Sequence, residues 1–196
     1  MKNETFKMVA KLYGRTVFSS VLCFFVYVSI MMMLAMTAKE GEAVSDGWLL
    51  AGNIVSLVLQ TCIFVALIYS DVWLQGDRDR NAVNFGRMTA DKWRGLKVGL
   101  LASIPAIVSF VLLVAEKLVG FWGAYATLYR LLHITFYPIM VWSMGVNVAA
   151  TAAGMSWGGI LAAGIPVLVL PVVTTVAYLL GYAQIALGER MVYKKK

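Results

Sequence analysis

The chain is poor in the residues that usually betray chemistry. Its 196 residues include two cysteines, Cys23 and Cys62, and one histidine, His133. There is no CxxC and no His pair, so neither a disulfide framework nor a zinc site is supported. Both cysteines lie within apolar runs and read as packing residues. Charged residues make up 14% of the chain and acidic residues number ten. What charge there is flanks apolar runs instead of interleaving with a soluble fold, which argues for membrane orientation and against nucleic acid as a partner, despite a formal charge of +7. No cofactor motif is present.

Apolar residues fill the space left by that scarcity. They account for 61% of the chain, against about 45–50% in a soluble domain, and several runs reach spanning length. The sequence predicts a single all-α integral membrane domain over 1–196. Its four transmembrane helices fall at about 17–36, 48–69, 98–115 and 160–180, joined by a cytoplasmic loop over 71–97. The first run, about twenty residues, exceeds a signal-peptide core and reads as an uncleaved span. Lys7, Lys11 and Arg15 recur every fourth residue before it, opposite Phe6, Val9 and Tyr13, which predicts a basic amphipathic lead-in along the inner leaflet. Thr16, Ser20, Cys23 and Tyr27 form a small or polar stripe expected to face other helices. Met31, Met32, Met33 and Met36 read as adaptable packing and not as a soft-metal site.

Between the second and third spans the stretch Asp71–Lys97 carries six Lys/Arg and four Asp, a density that hydrocarbon does not tolerate. It is expected to be a solvated loop. Thr89 is placed to cap the following helix with Asp91 in its first turn, and Pro105 to kink the third span. Beyond Glu116 and Lys117, aromatic residues crowd from Phe121 to Trp142 and are broken by Arg130 and Pro138. This predicts two short helices forming an interfacial or re-entrant hairpin on the outer side. The ladder Gly145, Ala149, Ala153 suggests close packing, and an oligomer is compatible with it. Pro166 and Pro171 interrupt the last span, where Pro171 leaves the Val167 carbonyl without its helical donor.

Orientation follows from the basic residues. Four Lys/Arg precede the first span, six lie in the central stretch and four follow the last span, leaving Lys39, Lys117 and Arg130 elsewhere. Both termini are therefore expected in the cytoplasm, with an even number of crossings and no fifth span through Ile134–Gly154.

Three motifs invite a chemical reading. Gly154-Met155-Ser156-Trp157-Gly158 matches the G-x-S-x-G nucleophile pattern, but no His follows it, so Ser156 is read as capping the last span and no catalytic residue is assigned. Asp77, Asp79 and Asn81 open a calcium-loop pattern that fails at Ala82 and Met88, where Gly and Glu are required, leaving a self-neutralised solvated turn. Asn53 and Gln60 share a face of the second span. They read as interhelical hydrogen bonds, with a polar transport path as the alternative. The segments GDRDRNAVNFGRMTADKWRGLKVGLLASIP and LGYAQIALGERMVYKKK resemble parts of uncharacterised small bacterial multi-pass integral membrane proteins, and the resemblance implies no activity.

The functional expectation is thus a non-enzymatic membrane protein, an assembly or docking factor whose basic face meets anionic inner-leaflet lipid or a protein partner. Arg87, Lys92, Trp93, Arg94 and Lys97 are the expected contacts. The alternative is a small transporter or channel component using Asn53 and Gln60. An intramembrane hydrolase pairing Ser156 with His133 is the third.

Overall fold

The computed structural model describes residues 2–37, 44–145 and 151–185, and among them every regular element is helical. Helix α1 runs over Lys2–Thr37 and α2 over Asp46–Asn84. Neither contains proline, so every residue of both helices can donate to the backbone ladder. The basic lead-in is therefore not a separate surface helix, because nothing between Lys7 and Val17 breaks it from the span. The acidic residues between Lys39 and Glu42, the middle of the Gly145–Ala153 ladder and the closing ERMVYKKK lie outside the described residues.

The expected loop over 71–97 requires a larger correction. Helix α2 continues through its first half to Asn84. Charge does not end a helix; a backbone signal does. Here it is Gly86, left-handed at φ 67°, whose N–H donates to the Val83 carbonyl while that of Arg87 donates to Ala82, a Schellman arrangement. At 39 residues α2 is about 58 Å long, nearly twice a bilayer's hydrocarbon thickness, so its charged third extends well past any apolar layer.

The third apolar run is broken into α3 (Arg94–Ala102) and α4 (Ile104–Val119), bent by 54° at Ser103. Pro105 lacks the N–H that would bond Leu101, and its ring crowds that carbonyl. Thr89 does not cap α3; instead the Asp91 carboxylate accepts from the Trp93 N–H. After the left-handed Gly120 comes a hairpin of α5 (Tyr125–Leu132), a 3-10 turn (Ile134–Phe136) and α6 (Tyr137–Met144). Helix α6 stops at Met144, well before the end of the apolar run that begins at Ile134. A second 3-10 turn (Ala152–Gly154) leads to α7 (Trp157–Ala163) and α8 (Ile165–Tyr182).

Among the described residues, three helical stretches are long and apolar enough to cross a membrane, α1, α2 and α7 with α8, or four if the bent α3–α4 pair counts as one. Their outer faces carry large exposed apolar residues, among them Phe25, Met33, Val58, Val111 and Leu168. Inside, one core gathers Leu12, Phe64, Ile68, Val98 and Tyr178, and a second gathers Leu113, Tyr129, Met140 and Ile160 beneath the hairpin.

The buried stripe of α2 runs Ser56, Gln60, Phe64, Ile68, Val72, Gly76, in steps of four. Each such step overshoots a full helical turn by about 40°, so the stripe rotates by roughly 200° along its length. The helix accordingly meets α1 through Asn53 and Gln60 near its start and α8 through Gly76 near its end. There the backbones nearly touch: a Cβ at Gly76 would strike the Tyr178 carbonyl, and one at Gly181 would strike Trp73. Gly95 and Gly99 of α3 admit α8 from the other side, against Thr174 and Pro171.

Candidate functional site

The start of α1, the charged third of α2, the turn after it and the end of α8 gather at one end of the bundle. Lys11 Nζ donates to Asp71 Oδ1 at 2.8 Å, and Arg15 Nε lies 3.3 Å from Oδ2, tying α1 to α2. Trp73 Nε1 donates to the Ile185 carbonyl at 2.8 Å and Arg80 Nη1 to the Tyr182 carbonyl at 3.0 Å. The latter places a cation at the negative end of α8, where helix carbonyls lack internal donors.

The expected solvated turn Asp77–Asn81 is helical, and Asp79 points inward. Its carboxylate accepts from Arg94 Nη1 at 2.9 Å on both oxygens, from the Tyr178 hydroxyl at 2.8 Å and from Gln75 Nε2 at 2.8 Å. The side chains of Asp79 and Arg94 are 5% and 9% exposed. One buried ion pair thus joins α2, α3 and α8. Its carboxylate is saturated with donors, the condition under which a buried charge is tolerated.

This arrangement sorts the expected contact residues. Arg94 is engaged inside the bundle and is not available to a lipid or partner, a correction that follows from Asp79 needing a cation once α2 carries it into the interior. Lys97 is exposed but bonded to Asp91 at 2.8 Å, and that bond, first among several causes, holds the Asp91 carboxyl below its ordinary range. Lys92 and Trp93 are exposed. Arg87 is exposed too, beside the Phe85 ring at 5.8 Å.

Arg87 lines a groove of about 580 Å³ between α1 and α2. Lys7 and Lys11 come from α1, Arg78 from α2, and Met8, Leu12, Leu74 and Met88 give the groove apolar walls. Asp71 and Asp79, also in its lining, are occupied by Lys11, Arg15 and Arg94, whereas Lys7, Arg78 and Arg87 have no ion-pair partner among the described residues. Glu4 is the remaining carboxylate there. Sequence reasoning missed Lys7 and Arg78 as partners of Arg87. The available signal was the absence of proline from Asp71 to Asn84, which leaves the helix of the second span free to continue.

In the apolar half of the bundle, Gln60 Nε2 donates to the Cys23 carbonyl at 3.1 Å, and the Tyr27 hydroxyl donates to Asn53 Oδ1 at 3.4 Å. Cys23 and Tyr27 of the small polar stripe of α1 thus face α2, while Ser20 faces the hairpin, its hydroxyl 2.7 Å from that of Thr135. Gln60 Oε1 and Ser56 Oγ are buried without a partner. Ser156 is exposed and accepts from the Gly159 N–H at 3.0 Å as the cap of α7, while buried His133 turns Nδ1 to the Tyr129 carbonyl at 3.1 Å and stacks on that ring. Their bonding partners are different, so the two form no dyad. Lys117 donates to the Ala153 and Met155 carbonyls, and buried Arg130 to that of Met144, so these two outlying cations serve the chain's own backbone. No protein family, curated protein or solved structure matches this chain.

Proposed function

We propose that this chain is a non-enzymatic multi-pass membrane protein, and that the groove between α1 and α2 holds the headgroup of an anionic lipid on the cytoplasmic side. One observation carries the reading: Lys7, Arg78 and Arg87, from three separate segments, converge on a groove with apolar walls without ion-pair partners among the described residues. An anionic amphiphile complements both features. The groove lies where the apolar faces of α1 and α2 give way to charge, the depth at which a headgroup sits. Juxtamembrane Lys/Arg contribute about 1 kcal/mol each toward an anionic leaflet, within a Debye length of roughly 8 Å at physiological salt. The gathering of the basic ends of α1 and α2 with the end of α8 supports an even number of crossings with these ends in the cytoplasm.

The test is lipid retention by native mass spectrometry after extraction from nanodiscs of mixed anionic and zwitterionic lipid. Combined Lys7→Gln, Arg78→Gln and Arg87→Gln should lower retained anionic lipid several-fold, whereas Lys92→Gln with Lys97→Gln should lower it less. Equal retention by both variants and the parent would refute the groove. Loss of a co-purifying protein with unchanged lipid would make the groove a docking site for that protein.

A further inference from the structure

A second hollow, of about 300 Å³, is bounded by α1, the α3–α4 bend, the hairpin and the start of α8. The bend creates it: α4 departs from the line of α3 at Ser103, and Pro105 and Ala106 leave the angle unfilled. Its volume is about twice that of an engineered cavity known to take a benzene ring. Exposed Tyr13, Val17, Leu131 and Leu132 are also part of its lining, so its mouth opens on the apolar outer surface.

The polar atoms in the hollow have a definite character. His133 is 7% exposed, it belongs to the lining, and its Nε2 is buried with no partner. A carbonyl can only accept, so the contact with Tyr129 places the ring proton on Nδ1 and leaves Nε2 of the neutral imidazole as a bare lone pair. Ser20, also in the lining, donates its proton to the Thr16 carbonyl at 3.0 Å. The Ser20 and Thr135 hydroxyls meet at 2.7 Å, so each has a partner in the other. The lining also carries the hydroxyls of Tyr13 and of Ser109, which accepts from the Tyr125 hydroxyl at 3.2 Å. The hollow is thus apolar and ring-sized, and the buried orphan in its lining is an acceptor, His133 Nε2.

We infer that this hollow is a binding site for a membrane-dissolved apolar molecule bearing a hydroxyl, of the alkylphenol class, which donates to His133 Nε2. A carbonyl or ether of the same shape would bring another acceptor and leave the imidazole lone pair unpaired, so the site discriminates between them. Such a ligand enters sideways from the acyl region, past Leu131 and Leu132, and needs no aqueous path.

The experiment uses the full chain in nanodiscs with two photoreactive probes, a 4-alkylphenol carrying a diazirine on its alkyl chain and the corresponding methyl ether. The phenol should label the hollow, at residues such as Ala106, Leu132 and Val167, about tenfold more than the ether, and excess unlabelled alkylphenol should compete it away. His133→Phe should bring both probes to one level. Ala106→Phe, which fills the hollow while sparing every polar group, should remove labelling by both. Equal labelling of the parent protein by phenol and ether would overturn the assignment, as would labelling confined to the outer apolar surface. Should His133→Phe fail to fold, the ratio in the parent protein and the Ala106→Phe result decide the matter.

Discussion

Asp79 ties α2 to α3 and α8 through one buried side chain. Its carboxylate holds Arg94, Tyr178 and Gln75 at once, and with Asp79→Ala the guanidinium of Arg94 is left buried without its anion. The expected loss is about 3–5 kcal/mol, read as a lowered unfolding midpoint in detergent. Tyr178→Phe should cost about 1.5–3 kcal/mol, since it removes one hydrogen bond to a charged group. Asp91 behaves differently because its ion pair with Lys97 is exposed to solvent. Its folded carboxyl titrates below the unfolded value, so its contribution is present above about pH 4 and is lost as pH falls through the folded value. The difference between the parent protein and Asp91→Asn should stay under about 1 kcal/mol near neutrality and vanish in stronger acid. Gln60→Leu removes a bond to the Cys23 carbonyl but also an orphaned oxygen. A loss of about 1 kcal/mol, with solute flux in liposomes unchanged, is the outcome that interhelical bonding predicts.

Among the elements, α8 is the one most dependent on its neighbours' smallness. Pro171 lies inside it, yet the helix runs unbroken from Ile165 to Tyr182, and α2 and α3 clasp it through Gly76, Gly95 and Gly99. A side chain at Gly99 would press on Thr174 and on the Pro171 backbone, which cannot move aside cheaply. Gly99→Leu should therefore destabilise by about 1–3 kcal/mol or more and make α8 accessible to protease, while Gly14→Ala, with open space around it, should be neutral or slightly stabilising. The α3–α4 bend was legible in the sequence, since proline at the start of a helix dictates it. The glycine clasp was not. Gly95 and Gly99 stand four apart like many glycines in apolar helices, and only the path of α8 makes that spacing meaningful.

For the whole molecule, the gathering of polar helix ends is the feature that topology experiments can reach. In a background lacking Cys23 and Cys62, cysteines at positions 7 and 184 should be modified by a membrane-impermeant reagent from the same side. Modification from opposite sides would rule out an even number of crossings. The three long apolar stretches and their polar flanks were already evident in the linear chain, because hydropathy and charge are properties of composition over a window and need no fold to be read.

What the sequence determined by itself is therefore the helical class, the apolar stretches, the break before Pro105, the cap at Ser156 and the bias of basic residues. All of these follow from local backbone chemistry or from transfer energies that add residue by residue. Tertiary structure decided which charges are free. Arg94 and Lys7 look alike in a linear reading, yet one is enclosed by Asp79 and the other stands in an open groove. Ion pairing at sequence separations such as the 60 residues between Lys11 and Asp71 depends on the rotation of the α2 stripe and on where α8 packs. The state of His133 was settled in the same way, through burial against Tyr129 and the hollow left by a bend nearly thirty residues earlier in the chain. Pairing and cavity shape arise from the relative placement of distant elements, and no window of sequence contains both partners.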